Sequence, residues 1–222
     1  MLTEETKKKI FSRIISFMAI AFSIFQLLSV YKHVPAMQLR VIHVCFGFSL
    51  IFFTYPMWGK KRPEKFTITG IIAFIFMITI SIYIILNFQR KAFMIGLPPP
   101  LIEIILGVIL ILLALEASRR TIGWSFTLIA VFALLYARFG AYLPLLLGHK
   151  SHSLSRIVDA TFLTMQGVYS SLIGVSATYI YLFILFGSFL KEVGGGDFFI
   201  NLALGLTGHV RGGPAKTAVI AS

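Results

Sequence analysis

Residues Thr67–Leu86 read TITGIIAFIFMITISIYIIL, twenty residues without one charged side chain. A stretch of this length and apolarity matches the hydrocarbon core of a bilayer, which about 20 helical residues cross. Backbone polar groups in lipid must be paired within the segment itself, so the stretch has to be a helix. Five further blocks of similar character surround it: about Ile14–Tyr31, Val41–Trp58, Leu101–Ala117, Thr121–Ala137 and Leu172–Leu190. The fold class is therefore all-α: a polytopic α-helical membrane protein with about six full spans.

Composition points the same way. Of 222 residues, 58% are hydrophobic and 13% charged, and the mean hydropathy is +0.91. A soluble domain carries about 45–50% apolar and about 25% charged residues. A soluble enzyme, a disordered chain and a coiled coil are thereby excluded. The formal charge of +12 does not indicate nucleic acid, because no polar surface is long enough to fold around it. The basic residues stand at the ends of the apolar blocks instead, where they set topology.

With the N-terminus in the cytoplasm, thirteen of the twenty Lys and Arg residues fall on the inner side. They include Lys7, Lys8, Lys9 and Arg13, then Lys60, Lys61, Arg62 and Lys65. Ile14–Val30 exceeds a signal-peptide core and no A-x-A site follows it, so the first block reads as an uncleaved span. Tyr31, Tyr55, Trp58, Trp124 and Tyr142 fall near span ends, as interfacial aromatics do.

Two segments are too short or too polar to cross. Leu154, Ile157, Val158, Thr161, Phe162 and Met165 share one helical face, which predicts an amphipathic helix in the outer interface or against neighbouring helices. Asp197–Leu206 is a short apolar helix between glycine breaks, interfacial or re-entrant. Pro214 then opens Ala215–Ser222, the beginning of a seventh span that the sequence leaves truncated.

Ionisable residues inside spans are candidates for function by default, yet most here have a plainer role. His43 is expected to pair with Arg40 at the outer end of span two. Glu103 sits in the first turn of span four, where a carboxylate is stabilised by the helix dipole. Glu116 stands at ion-pair spacing from Arg119 and Arg120, and Arg156 stands likewise from Asp159. Lys191 and Glu192 close span six, Asp197 is an N-cap, and Asn201 faces solvent. His149 and His152 lack a third ligand for zinc and are expected in a solvated loop. Cys45 only packs. No catalytic residue and no metal site is expected, since G-x-S-x-G, H-E-x-x-H and Walker A motifs are all missing.

The last third carries a resemblance. Phe183–Phe189 (FILFGSF), Gly194–Phe199 (GGGDFF) and Gly208–Ser222 (GHVRGGPAKTAVIAS) closely resemble the large membrane subunit of tripartite ATP-independent periplasmic (TRAP) transporters. Leu115–Trp124 (LEASRRTIGW) and Tyr136–Leu143 (YARFGAYL) look like the junction of the fused permeases, in which small and large membrane subunits form one chain. The resemblance implies a small-subunit-like four-helix region at 1–120 and the start of the large-subunit transport domain at 121–222.

It further implies a secondary transporter of the inner membrane. Such a permease takes up organic acids (carboxylates) from a periplasmic solute-binding protein, commonly with sodium as the coupling ion. In the family a glycine- and serine-rich hairpin supplying much of the ion and substrate site follows the stretch that ends at Ser222. Gly212, Gly213, Pro214 and Ser222 are its nearest neighbours here. On this reading the 222 residues are an N-terminal portion that does not transport alone. A non-transporting membrane scaffold or assembly subunit is the alternative.

Overall fold

The computed structural model describes residues 4–58, 63, 65–92, 98–144, 148–207 and 219. Among them no strand occurs. The chain order is α1 (Glu4–Tyr31), α2 (Ala36–Thr54), α3 (Ile68–Ala92), α4 (Leu101–Thr121), α5 (Trp124–Phe139), α6 (Leu154–Phe162), α7 (Ser171–Val175), a π-helical segment Ser176–Ile180, α8 (Tyr181–Glu192) and α9 (Gly195–Thr207). Six helical stretches are long and apolar enough to cross a membrane, the last being Ser171–Glu192. The seventh span expected to begin at Ala215–Ser222 lies outside the described residues apart from Val219.

Several boundaries differ from the sequence expectation. Pro35 sets the start of α2 and Ala36 follows it, so the helix begins five residues before Val41 and ends at Thr54, ahead of Pro56. A proline fits the entry of a helix but not its interior. Arg40 and His43 therefore lie inside the span and not at its outer end. Between α4 and α5, Gly123 adopts φ 104°, a left-handed backbone that only glycine takes without strain. That break moves the start of span five from Thr121 to Trp124.

The chain divides by packing into two compact units, Met1–Thr178 and Tyr179–Ser222. The first is organised around α2. Met37, Val41, Val44 and Phe52 of α2 meet Ala73, Met77, Ile80 and Ile84 of α3. The α3 residues recur at steps of four, three and four, the stripe that lets one helix seat along another. Leu106, Leu110 and Ala117 of α4 close the same core. Remaining faces stay open: Phe126, Ile129 and Phe132 of α5 are more than half exposed. Lipid tails are as apolar as these side chains, so such faces carry no penalty in a bilayer.

The amphipathic segment is helical over Leu154–Phe162 and stops short of Met165, which lies in the turn that follows. Ser153 caps α6, its hydroxyl accepting from the Arg156 amide at 3.2 Å. Val158 and Phe162 are buried against α4, where Gly107 leaves the room. Packing against a neighbouring helix is thus what this face does. In the second unit α8 packs on α9, with the Leu190 side chain lying over Gly195.

Candidate functional site

Two polar clusters interrupt the apolar interior, nine to twelve residues apart on α2. At a rise of 1.5 Å per residue that is about 14–18 Å along the helix. The first cluster begins with Gln26 of α1, which is fully buried. Its amide nitrogen donates to the Ala177 carbonyl at 2.8 Å and lies 2.9 Å from Nδ1 of His43. An amide nitrogen can only donate. Nδ1 of His43 therefore accepts, the ring proton sits on Nε2, and Nε2 donates to Ser176 Oγ at 3.2 Å. The imidazole is neutral in this network.

Beside it, Arg40 Nη1 donates to the Tyr169 carbonyl at 2.9 Å, and the guanidinium lies against Gly174, where a Cβ would come within 2.9 Å of it. The expected Arg40–His43 pair facing the headgroups is thus corrected. Both side chains turn inward toward α7, Arg40 holding the Tyr169 backbone carbonyl on one side and His43 the Ser176 hydroxyl on the other. The physical reason is demand for donors. A π-turn shifts the helix register, and the Tyr169 carbonyl precedes the cap residue Ser170 and so lies outside the ladder of α7. Gln26 and Arg40 meet that need, and His43 links Gln26 to the Ser176 hydroxyl. Tyr169 itself is buried, and desolvation, with the neighbouring Cys45 second, pushes its phenol above the ordinary range.

The second cluster stands where α2, α4 and α5 end or begin. Glu116 Oε2 accepts from Arg119 Nε at 2.7 Å, and its Oε1 accepts from Arg119 Nη2 at 2.8 Å and Arg120 Nε at 2.7 Å. This bears out the spacing argument. Sequence did not show what else the arginines hold. Phe52 would give its carbonyl to the amide of residue 56, but Pro56 has none. Arg120 Nη1 donates there instead, at 3.3 Å, and equally to the Tyr55 carbonyl. Arg119 donates to the Met57 carbonyl at 2.8 Å and sits over the rings of Trp58 and Trp124 at 5.1 and 5.4 Å.

The other candidates are mostly local. Glu103 is in the first turn of α4 and buried, with the Tyr83 hydroxyl 3.4 Å from its Oε1. Asp159 is half-buried and its Oδ1 enclosed, so it is not the surface group its spacing from Arg156 suggested. His149 is fixed in place: its ring nitrogens lie 2.9 and 3.1 Å from the carbonyls of Lys150 and Tyr136, and the His152 ring lies tilted beside it. Lys191 and Glu192 end α8 in exposed positions. Asp197 lies in the first turn of α9 and not at its cap, because the helix already starts at Gly195. Asn201 is exposed and Cys45 half-buried. Gly212, Gly213, Pro214 and Ser222 lie outside the described residues. Among the described residues no three His, Cys, Asp or Glu side chains are grouped to hold a metal.

Gln26 had no place among the sequence candidates, although a lone amide between apolar turns was visible. Gln26→Leu removes both of its donated bonds. Hydrogen bonds between membrane helices are worth about 0.6 kcal/mol on average and about 1.7 at most, so the variant is expected to lose about 1 kcal/mol in an SDS-unfolding titration. Combined with Ser176→Ala it should lose less than the two single losses added together. Strict additivity would show that the cluster is not a coupled unit.

The family profile described as the tripartite ATP-independent periplasmic transporter, DctM component, matches residues 109–222. Neither a curated relative nor a solved structure matches the chain. The match begins within α4 and takes in Glu116, both arginines, α6 and the π-helical segment clasped by Gln26. With six helices fit to cross a bilayer and a profile covering half of its length, the chain belongs to the DctM component family of TRAP transporters, a multi-pass membrane permease component and not an enzyme.

Proposed function

We propose that this chain forms part of a fused TRAP permease of the inner membrane that imports organic acids. Residues 1–120 are the small-subunit-like scaffold and residues 121–222 begin the large-subunit transport part. A periplasmic solute-binding protein delivers the carboxylate substrate, and a sodium gradient drives its entry. The amino terminus faces the cytoplasm, as the basic residues around Lys8 and Arg62 favour. Gly212, Gly213, Pro214 and Ser222 stand beside the ion and substrate site without being its ligands.

The observation that carries this reading is the clasp between α1 and the family-matched region. Helices α1–α3 precede the matched residues, yet they pack into one compact unit with residues up to Thr178. Gln26 reaches across 151 positions to the Ala177 carbonyl. Such packing suits a small subunit fused to its large one. It would be unexpected of an unrelated leader.

The test is uptake of labelled carboxylates into proteoliposomes containing the permease, with its binding protein outside. Accumulation should require both the binding protein and an inward sodium gradient. Uptake unaffected by collapse of that gradient removes sodium from the proposal. Absence of uptake with every binding protein tried, in vesicles whose permease is folded, favours the non-transporting scaffold.

A further inference from the structure

We infer that the basic end of α1 holds a binding site for an anionic phospholipid of the surrounding bilayer. A groove of about 360 Å³ lies there between α1, Thr54 at the end of α2, and Pro63. That is within the about 300–1,000 Å³ of small-molecule sites. Lys8, Ser12 and Ser16 line it at successive steps of four along α1, so one ammonium and two hydroxyls form a polar ladder along one face of the helix. Ile15, Thr54 and Pro63 make the walls, and buried Phe11 makes the floor. The floor is rigid: Phe11 meets Phe66 edge to face at 4.8 Å, and Phe53 meets the same ring at 5.1 Å.

Depth argues for a lipid. Helix α1 has 28 residues, about 42 Å at 1.5 Å per residue, against about 30 Å of hydrocarbon. Tyr31 ends the helix as an exposed aromatic of the kind that anchors at an interface. Counting about 20 residues back from it places the far hydrocarbon boundary near Ser12. Lys8 then stands about 6 Å beyond, at headgroup height, while Ile15 and Phe11 face the top of an acyl chain. One groove thus offers the Ile15 wall below the boundary, the Ser12 hydroxyl at it and the Lys8 ammonium above it.

Charge agrees with depth. The first thirteen residues and the loop at 59–66 carry Lys7, Lys8, Lys9, Arg13, Lys60, Lys61, Arg62 and Lys65 against Glu4, Glu5 and Glu64. Glu5 is engaged by Lys9 at 3.7 Å. An ammonium has three donors, so Lys8 can hold a phosphodiester oxygen without giving up a protein contact. Basic residues beside a membrane surface attract anionic headgroups. The groove turns that general attraction into a site.

Native mass spectrometry of the purified chain in detergent tests this, titrating phosphatidylglycerol, phosphatidylcholine and glycerol 3-phosphate. The expected result is preferential retention of phosphatidylglycerol, with neither neutral lipid nor free phosphate ester held at the same concentration. Lys8→Gln should weaken phosphatidylglycerol about fivefold, and Ser12→Leu with Ser16→Leu, which fills the groove without changing charge, should do the same. Arg13→Gln removes an equal charge outside the groove and should change retention by less than about twofold. Circular dichroism checks that each variant is folded. Equal binding of the two lipids, an equal loss in Arg13→Gln, or full retention in the leucine pair would each overturn the proposal. Retention of glycerol 3-phosphate as strong as that of the lipid would make it a phosphate site and overturn it as well.

Discussion

Replacing Glu116 with leucine is expected to cost about 3 kcal/mol, the low end of what breaking a buried ion pair costs. The low end applies because the carboxylate is not fully enclosed. Its side chain is 26% exposed, whereas those of Arg119 and Arg120 are 12% and 3% exposed. One carboxylate serves two guanidinium groups, and without it two half-buried cations lose the anion they share. They also hold carbonyls of Phe52, Tyr55 and Met57, so the loss spreads from α4 to the end of α2. Glu116→Gln keeps an acceptor oxygen and should retain roughly half of the stability. Arg120→Lys is not a conservative change, because an ammonium cannot reproduce the fork that reaches Glu116 and the Phe52 carbonyl together. Unfolding titrations of the three variants in mixed micelles would check the order. If Glu116→Leu lay within about 0.5 kcal/mol of the parent, the cluster would be no more than a surface ion pair.

How much of this was legible in the sequence depended on the reach of each interaction. The spans followed from runs of apolar residues, and Glu116 with its arginines followed from a spacing of three and four. The face of α6 was equally local. Its partner was not, because nothing in LSRIVDATF says that Gly107 has left space for Val158. The error at α2 has the same origin. A charge inside an apolar run reads as a boundary, which puts Arg40 and His43 at a helix end. Their partners, the Tyr169 carbonyl and Ser176 hydroxyl, are 129 and 133 positions away. No local pattern announces a donor waiting for a carbonyl that distant. For Gly212, Gly213, Pro214 and Ser222 the resemblance remains the whole ground, and geometry adds nothing to them.

Gly107 is where a single carbon should matter most in the packing of α6. A Cβ built there lies 2.4 Å from Val158 Cγ1 and 3.1 Å from Phe162 Cβ. Neither neighbour yields easily. Valine is held in one rotamer on a helix, and the Phe162 Cβ moves only with its backbone. Overpacking of this kind costs about 1–3 kcal/mol, so Gly107→Ala should be clearly destabilised and Gly107→Leu should push α6 off α4 altogether. Val158→Ala alone also destabilises, by leaving a cavity. Placed in the Gly107→Ala background, however, it removes the very methyl groups that collide. The pair should therefore be more stable than the sum of the single losses predicts, by about 1 kcal/mol or more, within the range seen for residues in direct contact. A cysteine at the exposed position Arg156 supplies a second reading: its labelling by a water-soluble maleimide should accelerate in Gly107→Leu and return towards the parental rate in Gly107→Ala with Val158→Ala. Additive stabilities and unchanged labelling would mean that α6 is not held by this contact, and that its amphipathic face is satisfied elsewhere.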